Sequence, residues 1–302
     1  MTSSKKPAEN SVGSIHNKIY YRNIVLGVQN ILYRESGFLS APAILLLHGY
    51  LTSSHMFRNL MPLLNQKYHL IAPDLLGFGY SDAPDRSKFA YTFDSLTKSL
   101  QAFIDQLKLT GFAVYVFDYD APIGFRPMMR NPEKITGFIS KNGNAYTEGL
   151  GSAWDPVKKY WQSDSQEDRD ELRGFVKEKE LEFQYFTGVS DPELTAPKVY
   201  TLDQYFLDRA GSNENQLDLI GDYKNNVELY PKFHEYFRKH QPKALIAWGC
   251  KDPYFLPEGA QAYERDIPDA TVKFYDTGHF ALETHVGEIG NDILDFMATL
   301  PE

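Results

Sequence analysis

Three side chains of this 302-residue chain have the types that covalent hydrolysis needs, and each follows a predicted strand: Asp118, Asp252 and His279. The first lies in Phe112–Arg126, Phe-Ala-Val-Tyr-Val-Phe-Asp-Tyr-Asp-Ala-Pro-Ile-Gly-Phe-Arg. An apolar run of strand character breaks at Asp118-Tyr119-Asp120. It continues from Ala121 as a helix-compatible run, with Pro122 where a first helical turn tolerates it. A strand that turns at once into a helix leaves one side chain on a tight corner at the carboxyl end of a parallel sheet. An aspartate placed there can attack an sp3 carbon and form an alkyl ester, which a histidine-activated water then hydrolyses. Taken alone, Asp118 reads equally as a helix N-cap. No Gly-x-Ser-x-Gly occurs in the chain, so a serine nucleophile loses its main support.

The other two residues sit in Gly249-Cys-Lys-Asp-Pro253 and Asp276-Thr-Gly-His-Phe280. The order is nucleophile, acid, base. His279, when neutral, takes a proton from water, and Asp252 holds its Nδ1–H and stabilises the imidazolium. The oxyanion formed on ester hydrolysis needs two N–H donors. Tyr119, which follows the nucleophile, and Tyr50, in the loop after His48-Gly49, are the candidates. His48 itself reads as a satisfied loop histidine. Singly, Asp252 before a proline and His279 after a strand are ordinary turn residues; in this order and context they form a constellation.

The elements that must position them alternate. Strands are predicted over Ile19–Val28, Asn30–Glu35, Pro42–Leu47, Tyr68–Pro73, from Phe112, and over Ile135–Ser140, Ala244–Gly249 and Thr271–Tyr275. Helices are predicted over Met56–Leu64, Phe93–Leu107, after the Asp118 corner and over Ala281–Leu300. That alternation predicts an α/β fold with a doubly wound, mostly parallel eight-stranded sheet. Residues 144–226 break the pattern: they are aromatic-rich and acidic, without a clear buried strand, and read as an inserted helical cap. The core then comprises residues 17–143 and 227–302, with residues 1–16 as a disordered tail.

The chain is 42% hydrophobic with a net charge of −9, 20 Tyr and 20 Phe. The totals imply no basic surface, so nucleic acid is not an expected partner. A single cysteine, Cys250, excludes an internal disulfide framework and a cysteine-rich metal site. The longest apolar run is too short to span a bilayer, and the polar N-terminus shows no secretory signal, so a soluble cytoplasmic protein is expected. Gly77 and Gly79 lack the spacing of a dinucleotide fingerprint, and no cofactor is implied.

Together, His48-Gly49, Asp74 with Gly77-Phe-Gly79-Tyr-Ser81, the Asp118 corner, Asp252 and Thr277-Gly278-His279 resemble the α/β-hydrolase superfamily, from about residue 19 to the end. The aspartate at the corner resembles its epoxide hydrolase and haloalkane dehalogenase branch. The resemblance implies an α/β-hydrolase fold and an Asp nucleophile acting on a small apolar substrate, with epoxide opening as the expected reaction. It also implies tyrosines of the cap as acids that protonate the epoxide oxygen. Tyr223, in Tyr223-Lys-Asn-Asn226, matches one of these. Tyr160, Trp161 and Tyr185 are further cap candidates for substrate contact. A haloalkane or haloacid dehalogenase with the same triad is the alternative, and a non-hydrolytic ligand-binding member is a third. Dehalogenases usually carry Asn and Trp where this chain has Tyr50 and Tyr119. Fluoroacetate-type enzymes carry arginines beside the nucleophile, where the chain offers only the more distant Arg126. Three departures stand out. Leu51 replaces the proline of His-Gly-x-Pro, and Val116 and Asp120 replace small residues two places before and after Asp118. Asp120 is expected either to raise the Asp118 carboxyl through like charge or to be stabilised by the helix N-terminus.

Overall fold

The computed structural model describes residues 18–301; the predicted tail lies outside them. Eight strands form one sheet: β1 Tyr20–Leu26, β2 Gln29–Ser36, β3 Ala43–Leu46, β4 His69–Pro73, β5 Phe112–Phe117, β6 Ile135–Lys141, β7 Ala244–Gly249 and β8 Thr271–Tyr275. Their order is β1-β2-β4-β3-β5-β6-β7-β8. β1 pairs antiparallel with β2 and β2 antiparallel with β4, and every later pairing is parallel. The fold is therefore the α/β-hydrolase architecture.

The central strands are apolar on both faces because helices cover both faces. Alternate residues divide between two cores. Leu45, Val114, Val116, Ile246 and Trp248 face one side. Ile44, Leu46, Tyr115, Phe117 and Ala247 face the other. In chain order the helices are α1 Met61–Leu64, α2 Phe93–Gln106, α3 Asp120–Arg130, α4 Asp155–Ser163, α5 Gln166–Glu171, α6 Glu178–Phe186, α7 Pro197–Leu207, α8 Ser212–Asp222, α9 Lys224–His240, α10 Pro257–Asp266, α11 Ala281–Thr284 and α12 Val286–Met297. α2 starts at a Thr92 N-cap whose side chain accepts from the Ser95 N–H.

Three predicted elements come out differently. Met56–Leu64 is a 3-10 turn, Ser54–Arg58, followed by the single turn α1. Pro62 stands at the start of α1, where no N–H is needed, and cannot continue a helix begun earlier. The closing helix breaks at His285, whose ring is held by the Thr284 hydroxyl, so α11 and α12 are separate. The boundary drawn after residue 226 falls inside the first turn of α9. That helix already belongs to the core: its Phe233 and Phe237 pack on Phe125, and Phe237 stacks on Phe138.

The β5–α3 corner also explains how Val116 is accommodated. A Cβ on Gly124, one turn into α3, would lie 2.5 Å from Val116 Cγ1. The small residue that close strand–helix packing needs is therefore supplied by the helix, at Gly124, rather than by the strand.

Candidate functional site

The carboxyl ends of β3, β5, β6, β7 and β8 meet at one edge, and the three candidate residues converge there. Asp118, between β5 and α3, has φ +48, a left-handed conformation uncommon for a residue with a side chain. The neighbouring loop makes room for it: a Cβ on Gly49 (φ +99) would come within 2.8 Å of Asp118 Cβ. The strain is held in place by hydrogen bonds, because Asp118 Oδ1 accepts from the N–H of Tyr50 (2.7 Å) and of Tyr119 (2.5 Å). The two donors expected for the oxyanion thus converge on one oxygen. Oδ2 faces His279 Nε2 at 3.6 Å. His279 Nδ1 lies 2.6 Å from Asp252 Oδ2. Asp252 Oδ1 in turn accepts from the N–H groups of Tyr254 and Phe255.

Burial pushes the Asp118 carboxyl up to about 6; His279 and the two N–H donors oppose the rise, and Asp252 adds to it. The phenols of Tyr50 and Tyr119 are raised, chiefly by burial. Their rings stack at 4.8 Å and form one wall of the site.

The loop carrying Tyr50 is pinned from several sides. His48 Nε2 accepts from the Leu75 N–H, which leaves its Nδ1–H to donate to the Gly49 carbonyl. Asp74 accepts from the N–H of Ser54 and of Tyr80. Leu51 sits at φ +68, which a proline cannot adopt, so this loop follows a path that a His-Gly-x-Pro loop cannot.

Asp120 is buried at the start of α3. Its carboxyl is pushed up to about 6 by burial, opposed by His48 and by the N–H groups of Gly49 and His48. One oxygen, Oδ2, is buried without a hydrogen-bond partner. Asp118 and Asp120 thus face different neighbours: Asp120 points to the inner side of the Tyr50 loop, not to His279. Because its folded value lies above the ordinary 3.8, the folded state binds more protons between these pH values, and stability falls as pH rises through about 6. Asp120→Asn is therefore expected to stabilise the protein by about 3 kcal/mol at pH 8 and by only about 0.5 kcal/mol at pH 4. Urea unfolding at both pH values checks this; an equal gain at both would remove the charge as its cause.

Over Asp118 lies a narrow, mostly apolar cavity lined by Tyr50, Tyr119, Trp154, Phe175, Gln184 and Tyr254, among others. Its free space takes only a water or two. The four cap candidates do not line it. The Tyr223 hydroxyl pairs with that of Tyr230 (3.2 Å), and its ring packs on Trp154. Trp161 Nε1 donates to the Ile220 carbonyl. Tyr160 lies with Trp161 on a surface groove beside Arg86 and Asp222. The Tyr185 hydroxyl donates to Asp203, and its ring stacks on Phe280. Arg126 donates to the Pro122 carbonyl and to Asn226, away from Asp118.

The sequence reading missed two residues at the end of β6. Asn142 (φ +44) donates from Nδ2 to Asp252 Oδ2 at 2.6 Å, and its Oδ1 accepts from the Gly249 N–H. Lys141 is fully buried beside it. Tyr254 was missed as well; it lines the cavity, and its hydroxyl donates to Glu180 of α6.

Fold and site together describe a hydrolase of the α/β class. The α/β hydrolase fold family matches residues 42–286, and the chain belongs to it. Among its relatives, a protein of Saccharomyces cerevisiae described as an uncharacterized hydrolase is 45% identical over 89% of this chain and 93% of its own. A haloalkane dehalogenase of Bradyrhizobium diazoefficiens is 42% identical over 113 residues, 37% of this chain and 35% of that one. The solved structure of a haloalkane dehalogenase loop variant from Bradyrhizobium elkanii shares the fold with a TM-score of 0.76 at 21% identity, covering 93% of this chain and 97% of that one. Among the described residues no helix is long and apolar enough to cross a membrane.

Proposed function

We propose that this hydrolase cleaves the carbon–halogen bond of a small apolar haloalkane through an alkyl ester on Asp118. The observation that carries this reading is the cavity. It is narrow and mostly apolar, and none of the cap side chains expected to protonate an epoxide oxygen lines it. A halide leaves as an anion and needs no proton. The relatives named haloalkane dehalogenases, matched over about a third of the chain, support the same reading. The placement of Arg126 argues against a haloacid, whose carboxylate needs a cation beside the nucleophile.

In this mechanism Asp118 Oδ2, the oxygen free of the N–H donors, attacks the carbon, and the halide departs. The ester carbonyl oxygen is then Oδ1, already held by the N–H groups of Tyr50 and Tyr119. His279 Nε2 removes a proton from a water that attacks the ester carbonyl carbon, and the same two N–H groups hold the oxyanion. Asp252 keeps the Nδ1–H of His279 in place, so Nε2 is the free base. The Cγ–Oδ2 bond of Asp118 then breaks, the His279 imidazolium gives its proton to the departing alkoxide, and the alcohol leaves with the Asp118 carboxylate restored. Inside the helical segment between β6 and β7, α4, α6 and α8 supply Val157, Gln184 and Ile220 to the cavity wall, which is the work of a cap.

Epoxide opening is the second reading, and Tyr254 favours it. Tyr254 lines the cavity and its hydroxyl is bonded to Glu180, whose carboxyl burial raises, so the pair is a candidate source of the proton an alkoxide needs. Purified protein with a panel of short haloalkanes and epoxides separates the two. Stoichiometric halide and alcohol are expected. Diol without halide would establish the second reading, and neither product, with the ligand recovered unchanged, a binding protein.

A further inference from the structure

The structure assigns Lys141 a positioning role: its buried ammonium, joined to Asp252 through Asn142 and to the His279 backbone, balances the second carboxylate of the site and limits the proton affinity of His279. Lys141 ends β6 with no exposed surface. Its Nζ donates to Asn142 Oδ1 (2.5 Å) and to the His279 carbonyl (2.8 Å), and lies 5.1 Å from the centre of the Phe117 ring. The same Phe117 ring packs on the His279 ring at 4.5 Å. Asn142 carries the link onward, from Nδ2 to Asp252 Oδ2. Every contact of this ammonium therefore lies within one residue of the candidate triad.

A buried lysine is a poor choice for packing alone, since a methionine fills similar space without desolvating a charge. The charges at the site explain it. Two buried carboxylates, Asp118 and Asp252, face one imidazole. During ester hydrolysis the imidazolium and the ammonium face Asp252 and the oxyanion, two positive charges against two negative. Without Lys141 the site carries an unbalanced negative charge, which holds the imidazolium too firmly. A base that keeps its proton cannot accept one from water, so the loss shows first on the acid side of the working range. Burial lowers the Lys141 ammonium to about 7, with Asp252 and Asp118 opposing. Its charge is thus fullest on that same acid side. Asp252 and Asp118 are the titratable groups whose charges act on it, and the His279 backbone carbonyl accepts from it, with the Phe117 ring between the ammonium and the imidazole.

The test reads the imidazole directly and needs no substrate. His279 ring signals are followed by NMR in histidine-labelled protein across pH and assigned by their absence in His279→Gln. In Lys141→Met and Lys141→Gln the signals are expected to change from neutral to charged at a pH about one unit higher than in the native protein. In Lys141→Arg, which keeps the charge, the change should stay within a few tenths of the native position. An unmoved titration in whichever neutral variant folds overturns the proposal. So does failure of both neutral variants to fold, which makes Lys141 a stability residue. The consequence for turnover rests on His279 acting as the base. Because the titration is read on the free protein, an absence of halide or diol would count against that reading and leave the Lys141 result standing.

Discussion

His279→Gln is expected to stop turnover after one chemical event and to leave an alkyl group on Asp118. The first half of the reaction needs only the Asp118 carboxylate, which is held and aimed by backbone N–H groups that the substitution does not touch. The second half needs a base within reach of a water beside the ester, and Nε2 is the ring nitrogen that faces Asp118. Removing it should cost about 10³-fold or more in steady-state rate. The intermediate then accumulates to about one per chain, read by intact mass and located by peptide mapping. Trapping should fade as pH falls through about 6, because burial raises the Asp118 carboxyl to that value and only its ionised form attacks. An adduct on Asp120 would move the nucleophile two residues along the corner. No adduct with any haloalkane or epoxide, at a pH where Asp118 is ionised, would remove the covalent mechanism.

The fold was legible because its strands are continuous apolar runs ending in polar turns, a pattern that parallel strands covered on both faces must produce. The convergence of Asp118, Asp252 and His279 was legible for a related reason: each follows such a run, and a parallel sheet brings those ends to one edge. Asn142 and Lys141 also follow such a run, at the end of β6. They were passed over because a lysine there reads as exposed and an asparagine as a turn former. The left-handed φ of Asn142 is the conformation such an asparagine favours. The cap was harder. Where a tyrosine hydroxyl points depends on packing between helices, and sequence spacing carries little of that. Tyr223 turns to Tyr230 and Tyr185 to Asp203, while Tyr254, outside the segment read as a cap, lines the cavity and turns its hydroxyl to Glu180. Asp120 was recognised as a departure, yet its direction, toward His48 and Gly49, follows from the turn of α3 that the sequence does not print.

Asp252→Asn should silence ester hydrolysis while sparing ester formation, and the reason lies in which oxygens are already committed. Asp252 Oδ1 accepts from the Tyr254 and Phe255 N–H groups, so an asparagine keeps its oxygen on that side. Its new NH₂ group then faces two donors where the carboxylate faced two partners: Asn142 Nδ2 and His279 Nδ1, each 2.6 Å from the original Oδ2. Asn142 cannot turn over to help, because its own oxygen holds the Gly249 N–H (2.8 Å) and Lys141 Nζ (2.5 Å). His279 relieves the clash only by moving its proton from Nδ1 to Nε2. That places a hydrogen where the base must accept one. Loss of the favoured tautomer and of the stabilised imidazolium together predict a steady-state rate lower by about 10³- to 10⁴-fold. Stopped-flow measurement of halide should still show a burst approaching one equivalent per chain at a near-native rate, since Asp118 keeps its N–H donors. A steady-state rate within tenfold of native would mean that the 2.6 Å contact between Asp252 and His279 does not set the tautomer. Loss of the burst together with the steady state, in a variant that still folds, would mean instead that the charge on Asp252 is needed before the ester forms.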